Sequence, residues 1–204
     1  MKIISRFIQA LKYQLFDDDM LPILHDSMLI LINCNPTPDS IRAISLYIVY
    51  ALTQADNNTT DSQSKDNANR QFTCGLSVLD VLVTLVCNGL PNSNPQLHKT
   101  VFQSINIKWI VLLLNNDDPR VIKGTLRLLL KTLTLLGKKA YRRFIDAQGL
   151  SILQNTLQGH WEDNPDFFII LLTGVFGISY FPEFGSDFVG FVNKLASKGA
   201  RFFE

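Results

Sequence analysis

The chain has 204 residues, of which 47% are apolar and 18% charged, and its formal net charge is +1. This length allows one domain with a sizeable core or a short array of repeats. The near-neutral charge balance excludes a strongly basic nucleic-acid binder and a polyacidic tail. Charged residues average about 25% in soluble domains. The lower content here is typical of stacked helices that are buried on two faces.

The first part of the chain predicts three helices. Apolar residues recur at helical spacing over residues 2–16. Asp19 is a candidate cap for a second helix with Pro22 in its first turn, and Thr37 before Pro38 is the expected cap of a third. Six apolar side chains of the third helix are expected to be buried: Ile41, Ile44, Leu46, Ile48, Val49 and Leu52.

Residues 55–71 contain alanine as their only apolar type and are rich in Asn, Asp, Ser and Thr. Such a segment buries too little apolar surface to offset its ordering entropy, and it predicts a flexible loop or a short linker. Residues 72–89 are nearly all apolar, with Asp80 as their single charge. Their β-branched content is also compatible with a buried strand, but their length favours a central helix. Residues 95–105 and 106–115 predict two shorter helices.

Residues 115–149 have the clearest helical pattern. Asp117 or Asp118 is the expected cap, and Pro119 stands at the first helical position. An apolar ridge then follows in steps of four and three residues: Ile122, Leu126, Leu129, Leu133 and Leu136. Gly137 is expected to end this helix, and a shorter helix follows that Gly149 is expected to close.

Three more helices are predicted after Gly149. The first places Ile152, Leu153 and Leu157 inward, and the second begins at Pro165 behind Asp163 or Asn164. Gly174 and Gly177 in the second helix would allow close approach by a neighbour. Residues 186–199 predict the last amphipathic helix.

The helix-starting prolines suggest a repeat. Pro38 and Pro119 are 81 residues apart, and Pro119 and Pro165 are 46 apart. Periods of about 40–47 residues with two or three helices each are typical of HEAT and armadillo arrays. We therefore predict an all-α fold, an armadillo/HEAT-like α-solenoid of stacked helices that forms a single unit over residues 1–204.

Residues 137–177 carry a recognisable pattern. Its positions are Gly137, Tyr141, Phe144, Gly149, Leu153, Leu157, Trp161, Pro165, Phe168 and Gly177. In these positions the segment resembles fungal beige-like proteins of the BEACH-domain family. It departs from that pattern at Gln148, where a second glycine is expected, and at His160, where a tryptophan is expected. The resemblance implies a place in a very large protein, in an armadillo-like region upstream of its PH-like and BEACH domains.

No arrangement of residues indicates catalysis. The three histidines, His25, His98 and His160, lie on different predicted elements, and the three cysteines, Cys34, Cys74 and Cys87, form no CxxC pair. Glycine-rich nucleotide-binding motifs are absent, and the acidic pairs precede helices, where carboxylates cap backbone N–H groups. We expect no enzyme activity, no cofactor, no metal and no small-molecule substrate. Neither a targeting signal nor a membrane-spanning helix is expected.

Charge is the one functional signal. Between Pro119 and Asp146 the local net charge is +7, against −6 in the rest of the chain. We name its eight cations the basic ridge: Arg120, Lys123, Arg127, Lys131, Lys138, Lys139, Arg142 and Arg143. Such a ridge attracts an acidic protein surface or anionic lipid, although a solvated helix face would look the same. Nucleic acid is not expected as a partner, because the ridge lacks interleaved aromatic residues for base stacking.

Fold and charge together predict a non-enzymatic scaffold that binds protein partners. The family resemblance implies vesicle trafficking and vacuole or lysosome biogenesis as its setting. The expected location is then the cytoplasm, peripheral to endosomal or vacuolar membranes. The alternative is a peripheral membrane-binding module that uses the basic ridge on anionic lipids.

Overall fold

The computed structural model describes residues 3–13, 18–53, 62–88, 95–160, 163, 164, 166, 167, 170 and 171. Within these residues the secondary structure is helical and contains no β-strand, which confirms the predicted all-α class. The α-helices in chain order are α1 (Ile3–Tyr13), α2 (Leu21–Cys34), α3 (Pro38–Thr53), α4 (Ser62–Val83), α5 (Pro95–Ser104), α6 (Ile107–Leu114), α7 (Pro119–Leu136), α8 (Lys138–Asp146) and α9 (Gly149–His160). Most of the helix predicted from Pro165, including Gly174 and Gly177, and all of residues 186–199 lie outside the described residues.

Side-chain caps fix the starts of several helices. Thr37 Oγ1 accepts a hydrogen bond from the Ser40 N–H at 3.2 Å, and Asp118 Oδ1 accepts one from the Arg120 N–H at 2.8 Å. Both predicted caps are therefore confirmed. The predicted cap at Asp19 is wrong. A 3₁₀ turn, Asp18–Met20, precedes α2, and Met20 occupies the cap position without a side-chain hydrogen bond.

Helix α4 begins inside the segment predicted to be a loop. Residues 62–71 are helical, and residues 54–61 lie outside the described residues. Asp66 and Asn69 are exposed, so the polar composition reflects solvent contact and not the loss of helix. The helix continues into one π-helical turn, Thr84–Asn88, which rules out the strand alternative.

The stretch Asp66–Cys87 is long and apolar enough to cross a membrane by length and composition. Half of its most apolar 18 residues are buried within the protein, and α4 packs against α2, α3 and α7. These contacts are those of a central core helix.

The helices pack around one continuous apolar core. Helices three apart in sequence order are in contact: α3 with α6, α4 with α7, and α6 with α9. Thr156 Oγ1 lies 2.8 Å from the Leu114 carbonyl oxygen and links the end of α6 to α9. In α3, Ile41 and Ile44 are buried as predicted, but Leu46 is 69% exposed. Its helical angle points it away from the core, and Tyr47 is buried in its place.

The link between α8 and α9 also differs from the prediction. Gly137 ends α7 with φ +57°, as predicted for a glycine at this position. Gly149 does not close α8, since Gln148 has the positive φ of 58° and Gly149 is the first residue of α9. Gly149 is instead needed for close packing, because a Cβ atom there would overlap with the Phe144 ring.

Candidate functional site

The cations of α7 project from the side of the helix opposite its core face. Val121, Ile122, Leu126 and Leu129 are buried, as are Thr125 and Thr132. Arg120 and Arg127 are exposed, and Lys123 and Lys131 are half-buried. The predicted apolar ridge is thus correct as far as Leu133, which is half-buried and packs against the core. Beyond it, Leu136 is 38% exposed.

Part of the basic face of α7 forms one wall of a groove. The groove encloses about 450 Å³ between α7, α4 and the start of α2. Its lining residues are Leu21, Thr73, Leu76, Ser77, Leu79, Asp80, Val83, Arg120, Lys123, Gly124 and Arg127. We call this feature the α4–α7 groove.

The two long walls of the α4–α7 groove approach closely at Gly124. A Cβ atom at Gly124 would lie 3.1 Å from Leu79 Cδ2 and 3.6 Å from Val83 Cγ2. Glycine therefore lets the backbone of α7 approach the apolar side chains of α4. The apolar residues Leu79 and Val83 are buried and form the floor, whereas Arg120 and Arg127 stand at the rim.

Two cations of the groove are paired with carboxylates. Arg120 contacts Asp118 through two nitrogens, with Nη2–Oδ2 at 2.7 Å and Nε–Oδ1 at 3.1 Å. The side-chain hydrogen bond with Arg120 lowers the pKa of Asp118 against the opposing effect of partial burial. Lys123 Nζ lies 2.6 Å from Asp166 Oδ2. Both pairs are partly exposed, so each contributes little to the stability of the fold. Their main effect is to neutralise one positive charge each.

Arg127 and Lys131 are different. Among the described residues, no carboxylate lies within ion-pair distance of either side chain. Both cations are near Cys87, and they lower its pKa, but burial has the larger effect and raises it to about 11. The thiol is therefore protonated at neutral pH and does not neutralise these cations. Within the part of the chain that the structure describes, Arg127 and Lys131 thus carry the positive charge of α7 that no carboxylate pairs.

The other four cations of the basic ridge lie on α8. The inner face of α8 is formed by the buried residues Ala140 and Phe144. All four cations are exposed: Lys138, Lys139, Arg142 and Arg143. Tyr141 and Ile145, on the same helix, are 51% and 40% exposed. The basic ridge is therefore divided between two helices. On α7, Arg120, Lys123 and Arg127 line the groove and Lys131 follows one turn further on, and on α8 four exposed cations are mixed with apolar side chains.

The opposite wall of the groove carries one acid. Asp80 is exposed on α4, and its Oδ2 lies 3.3 Å from His25 Nε2 of α2. His25 Nδ1 is also 3.2 Å from Asp26 Oδ1. His25 Nε2 makes no hydrogen bond among the described residues, so it contacts Asp80 within ion-pair distance without being hydrogen-bonded to it.

Sequence reasoning missed the α4 wall of the groove. Thr73, Ser77 and Asp80 are the polar positions of the otherwise apolar second half of α4, and their spacing places them on one face. The exposed face of α4 could have been predicted, because Asp80 is the single charge of a mostly buried segment and must face solvent. The local sequence does not indicate which neighbouring helix lies beside that face.

The residue types that carry chemistry are dispersed. Within the described ranges, no three His, Cys, Asp or Glu side chains lie close enough together to hold a metal ion. His25 and His160 are on α2 and α9. All three cysteines are free: Cys34 is exposed, Cys74 is buried and Cys87 is half-buried.

Comparison with known proteins gives one relative. The chain is 23% identical over 170 residues to Beige protein homolog 1 of Schizosaccharomyces pombe. The alignment covers 78% of this chain but spans only 6% of the length of that protein. No family model and no solved structure matches the chain. This weak similarity supports the predicted relation to beige-like proteins.

The structure explains several positions of the family pattern. Gly137 has a positive φ, Gly149 packs on the buried Phe144, and Leu157 is 5% exposed. Tyr141 is exposed and so has no role in the core. Trp161, Pro165, Phe168 and Gly177 lie outside the described residues.

Proposed function

We propose that this chain is a non-enzymatic protein-interaction module of a large scaffold involved in vesicle trafficking. The observation that carries this proposal is the α4–α7 groove, where Arg127 has no carboxylate partner among the described residues. Lys131, which also has none among them, follows one turn further along α7. A cationic face beside an apolar groove attracts an acidic protein surface. The partner is therefore expected to be acidic.

The proposed architecture is an armadillo/HEAT-like α-solenoid. Helices α4, α5 and α6 are one long helix followed by two shorter ones, as are α7, α8 and α9, and α4 packs on α7 as α6 packs on α9. The hydrogen bond between Thr156 and the Leu114 carbonyl spans 42 residues, about one armadillo period. Stacked repeats of this kind provide extended surfaces for partner proteins.

The trafficking role rests on similarity to Beige protein homolog 1 and on the resemblance of residues 137–177 to fungal beige-like proteins. The module would lie upstream of the PH-like and BEACH domains of such a protein. Its location would be cytoplasmic, at the periphery of endosomal or vacuolar membranes.

A second candidate function is peripheral binding to anionic lipid through α8. It is favoured by the exposed Leu135, Tyr141 and Ile145, which lie beside Lys138 and Arg142. Exposed apolar side chains interspersed with cations are typical of surfaces that enter the headgroup region of a membrane.

Two charge-reversed variants test both candidates. The first, Arg127→Glu with Lys131→Glu, changes α7, and the matched control, Lys138→Glu with Arg142→Glu, changes α8 by the same charge. Each variant and the unchanged chain are used to capture proteins from cell extract, with quantification by mass spectrometry, and are floated with vesicles that contain anionic lipid.

The proposed function predicts that the α7 variant captures at least about tenfold less of a defined set of proteins. The unchanged chain and the α8 variant should capture the same proteins in full. The membrane alternative predicts salt-sensitive flotation that the α8 variant loses. Capture that is unchanged in both variants, together with no flotation, would contradict both candidates.

A further inference from the structure

The chemistry of the α4–α7 groove is asymmetric across its width. The α7 wall carries Arg120, Lys123 and Arg127, and the α4 wall carries Thr73, Ser77 and Asp80. Leu79 and Val83 form a buried apolar floor between the two walls. A ligand that satisfies all three parts needs an apolar face, acidic groups on one flank, and neutral or basic groups on the other.

The dimensions of the groove suit a short helix. The lining positions of α4 run from Thr73 to Val83, which corresponds to about 15 Å of helix. A volume of about 450 Å³ accommodates several side chains but not a folded domain. Two to three turns of an amphipathic helix would place three or four apolar side chains on this floor.

We propose that the α4–α7 groove binds an acidic amphipathic helix of a partner protein, with its carboxylates against Arg127 and its apolar residues on Leu79 and Val83. This proposal rests on the proposed interaction function and names its site and the chemistry of its ligand. Arg127 is the anchor because, among the described residues, it has no carboxylate partner.

Three other occupants fit the groove less well. A free phosphate would use the cations but leave the apolar floor unfilled. A flat membrane surface cannot reach buried residues such as Leu79, which lie below the rim. A second copy of this chain would need an exposed acidic and apolar helix face, and in α1 to α9 the exposed apolar residues such as Ile23 and Ile30 lie on helices with few acids.

The test uses the whole 204-residue chain and a fluorescein-labelled synthetic peptide of about 15 residues. Its leucines have helical i, i+3, i+4 and i+7 spacing, with glutamate on one flank of the leucine face and glutamine on the other. Fluorescence anisotropy measures its dissociation constant. One control peptide has lysine in place of glutamate, and a second has the same composition with the leucine spacing scrambled.

The charge arm compares three variants of the chain. Arg127→Glu is expected to weaken binding of the acidic peptide about tenfold, because an attraction becomes a repulsion. Lys138→Glu makes the same charge change on α8 and should change the dissociation constant by less than about twofold. Asp80→Asn removes the acid of the opposite wall and should tighten binding about two- to threefold.

The packing arm does not depend on charge. Ser77→Trp fills the groove from the half-buried α4 wall, and it should weaken binding of the acidic peptide at least about tenfold. Gln103→Trp on the exposed side of α5 is its matched control and should have no effect. Circular dichroism and thermal unfolding confirm that each variant is folded.

Equal binding of the peptide by the unchanged chain, Arg127→Glu and Ser77→Trp would overturn the proposal. Preference for the scrambled or the lysine peptide would also overturn it, as would tight binding of inorganic phosphate or of anionic vesicles at the groove without peptide binding. Self-association of the chain that Arg127→Glu abolishes would assign the groove to a second copy and would overturn it too. If only the peptide experiment fails while the α7 double variant still loses protein capture, the interaction function stands and the helical ligand is wrong.

Discussion

Gly149 shows how one residue fixes the packing of two helices. It opens α9 directly beside the Phe144 ring of α8, and Phe144 is 1% exposed. A methyl group at Gly149 would overlap with that ring, so either the ring or the start of α9 must move. Overpacking of this kind costs about 1–3 kcal/mol.

Gly149→Ala is therefore expected to lower the free energy of unfolding by about 1–3 kcal/mol, measured by urea denaturation. Gly159→Ala is the matched control in the same helix, where nothing lies within 4 Å of an added Cβ atom. It should raise the free energy of unfolding by up to about 1 kcal/mol, because alanine favours the helix. A shift in the same direction in both variants would contradict the packing assigned to Gly149.

Gln148 accounts for a departure from the beige-like pattern. The resemblance expects glycine at this position, and the backbone there has φ 58°, which a residue with a Cβ atom adopts only at some cost. The residue after a helix often has this conformation, and glycine is preferred for it. The beige-like pattern therefore places the turn correctly at position 148. Because this chain has glutamine there, the next glycine, Gly149, was predicted as the helix end instead.

At the scale of the element, the start of α7 depends on Asp118. Its side chain caps the helix and contacts Arg120, and the hydrogen bond with Arg120 is the main reason that the pKa of Asp118 is lowered. A lowered pKa in the folded state means that the carboxylate stabilises the fold above the pKa of the unfolded chain. This contribution is lost as the pH falls through the folded pKa.

Asp118→Asn separates charge from capping, because asparagine caps a helix about as well as aspartate. At neutral pH the variant should be less stable than the unchanged chain by less than about 1 kcal/mol, since the pair is partly exposed. The difference should start to shrink below about pH 4, where the unfolded chain takes up the proton, and should vanish at the lower pH where the folded carboxylate is protonated too. Urea denaturation across this pH range measures it, and a difference that grows on acidification would contradict the assignment.

Most helices were predictable because their signals are local. Capping residues such as Thr37 and Asp118, prolines in the first turn and apolar spacing need no knowledge of neighbours. The start of α4 was missed because polar composition reports exposure, and an exposed segment can still extend a helix that is anchored further on. Leu46 was misplaced because apolar character alone does not distinguish two sides of a helix.

The candidate site was predictable only in part. The basic residues of α7 and α8 are evident from charge counting, but their division between a groove and an exposed face is tertiary. Asp166 pairs with Lys123 across 43 residues, and α4 supplies a groove wall from far along the chain. Such pairings depend on how the helices stack, which no short segment specifies.

At the scale of the whole molecule, the basic residues of the ridge lie on two consecutive helices, α7 and α8. The net charge is +7 between Pro119 and Asp146 and −6 in the rest of the chain. The near-neutral total therefore hides an uneven charge distribution that attracts anionic partners to α7 and α8. Similarity to Beige protein homolog 1 extends over 78% of the chain but 6% of that protein. The proposed role is accordingly that of one module within a scaffold.

Hydrogen–deuterium exchange tests the central claim most directly, comparing the chain alone with the chain bound to a protein recovered by the capture experiment. The account predicts slower exchange on binding in residues 73–88 of α4 with its π-helical turn and in residues 119–131 of α7. Residues 138–146 of α8 should be unchanged. Protection confined to residues 138–146, with no change in α4 and α7, would contradict it.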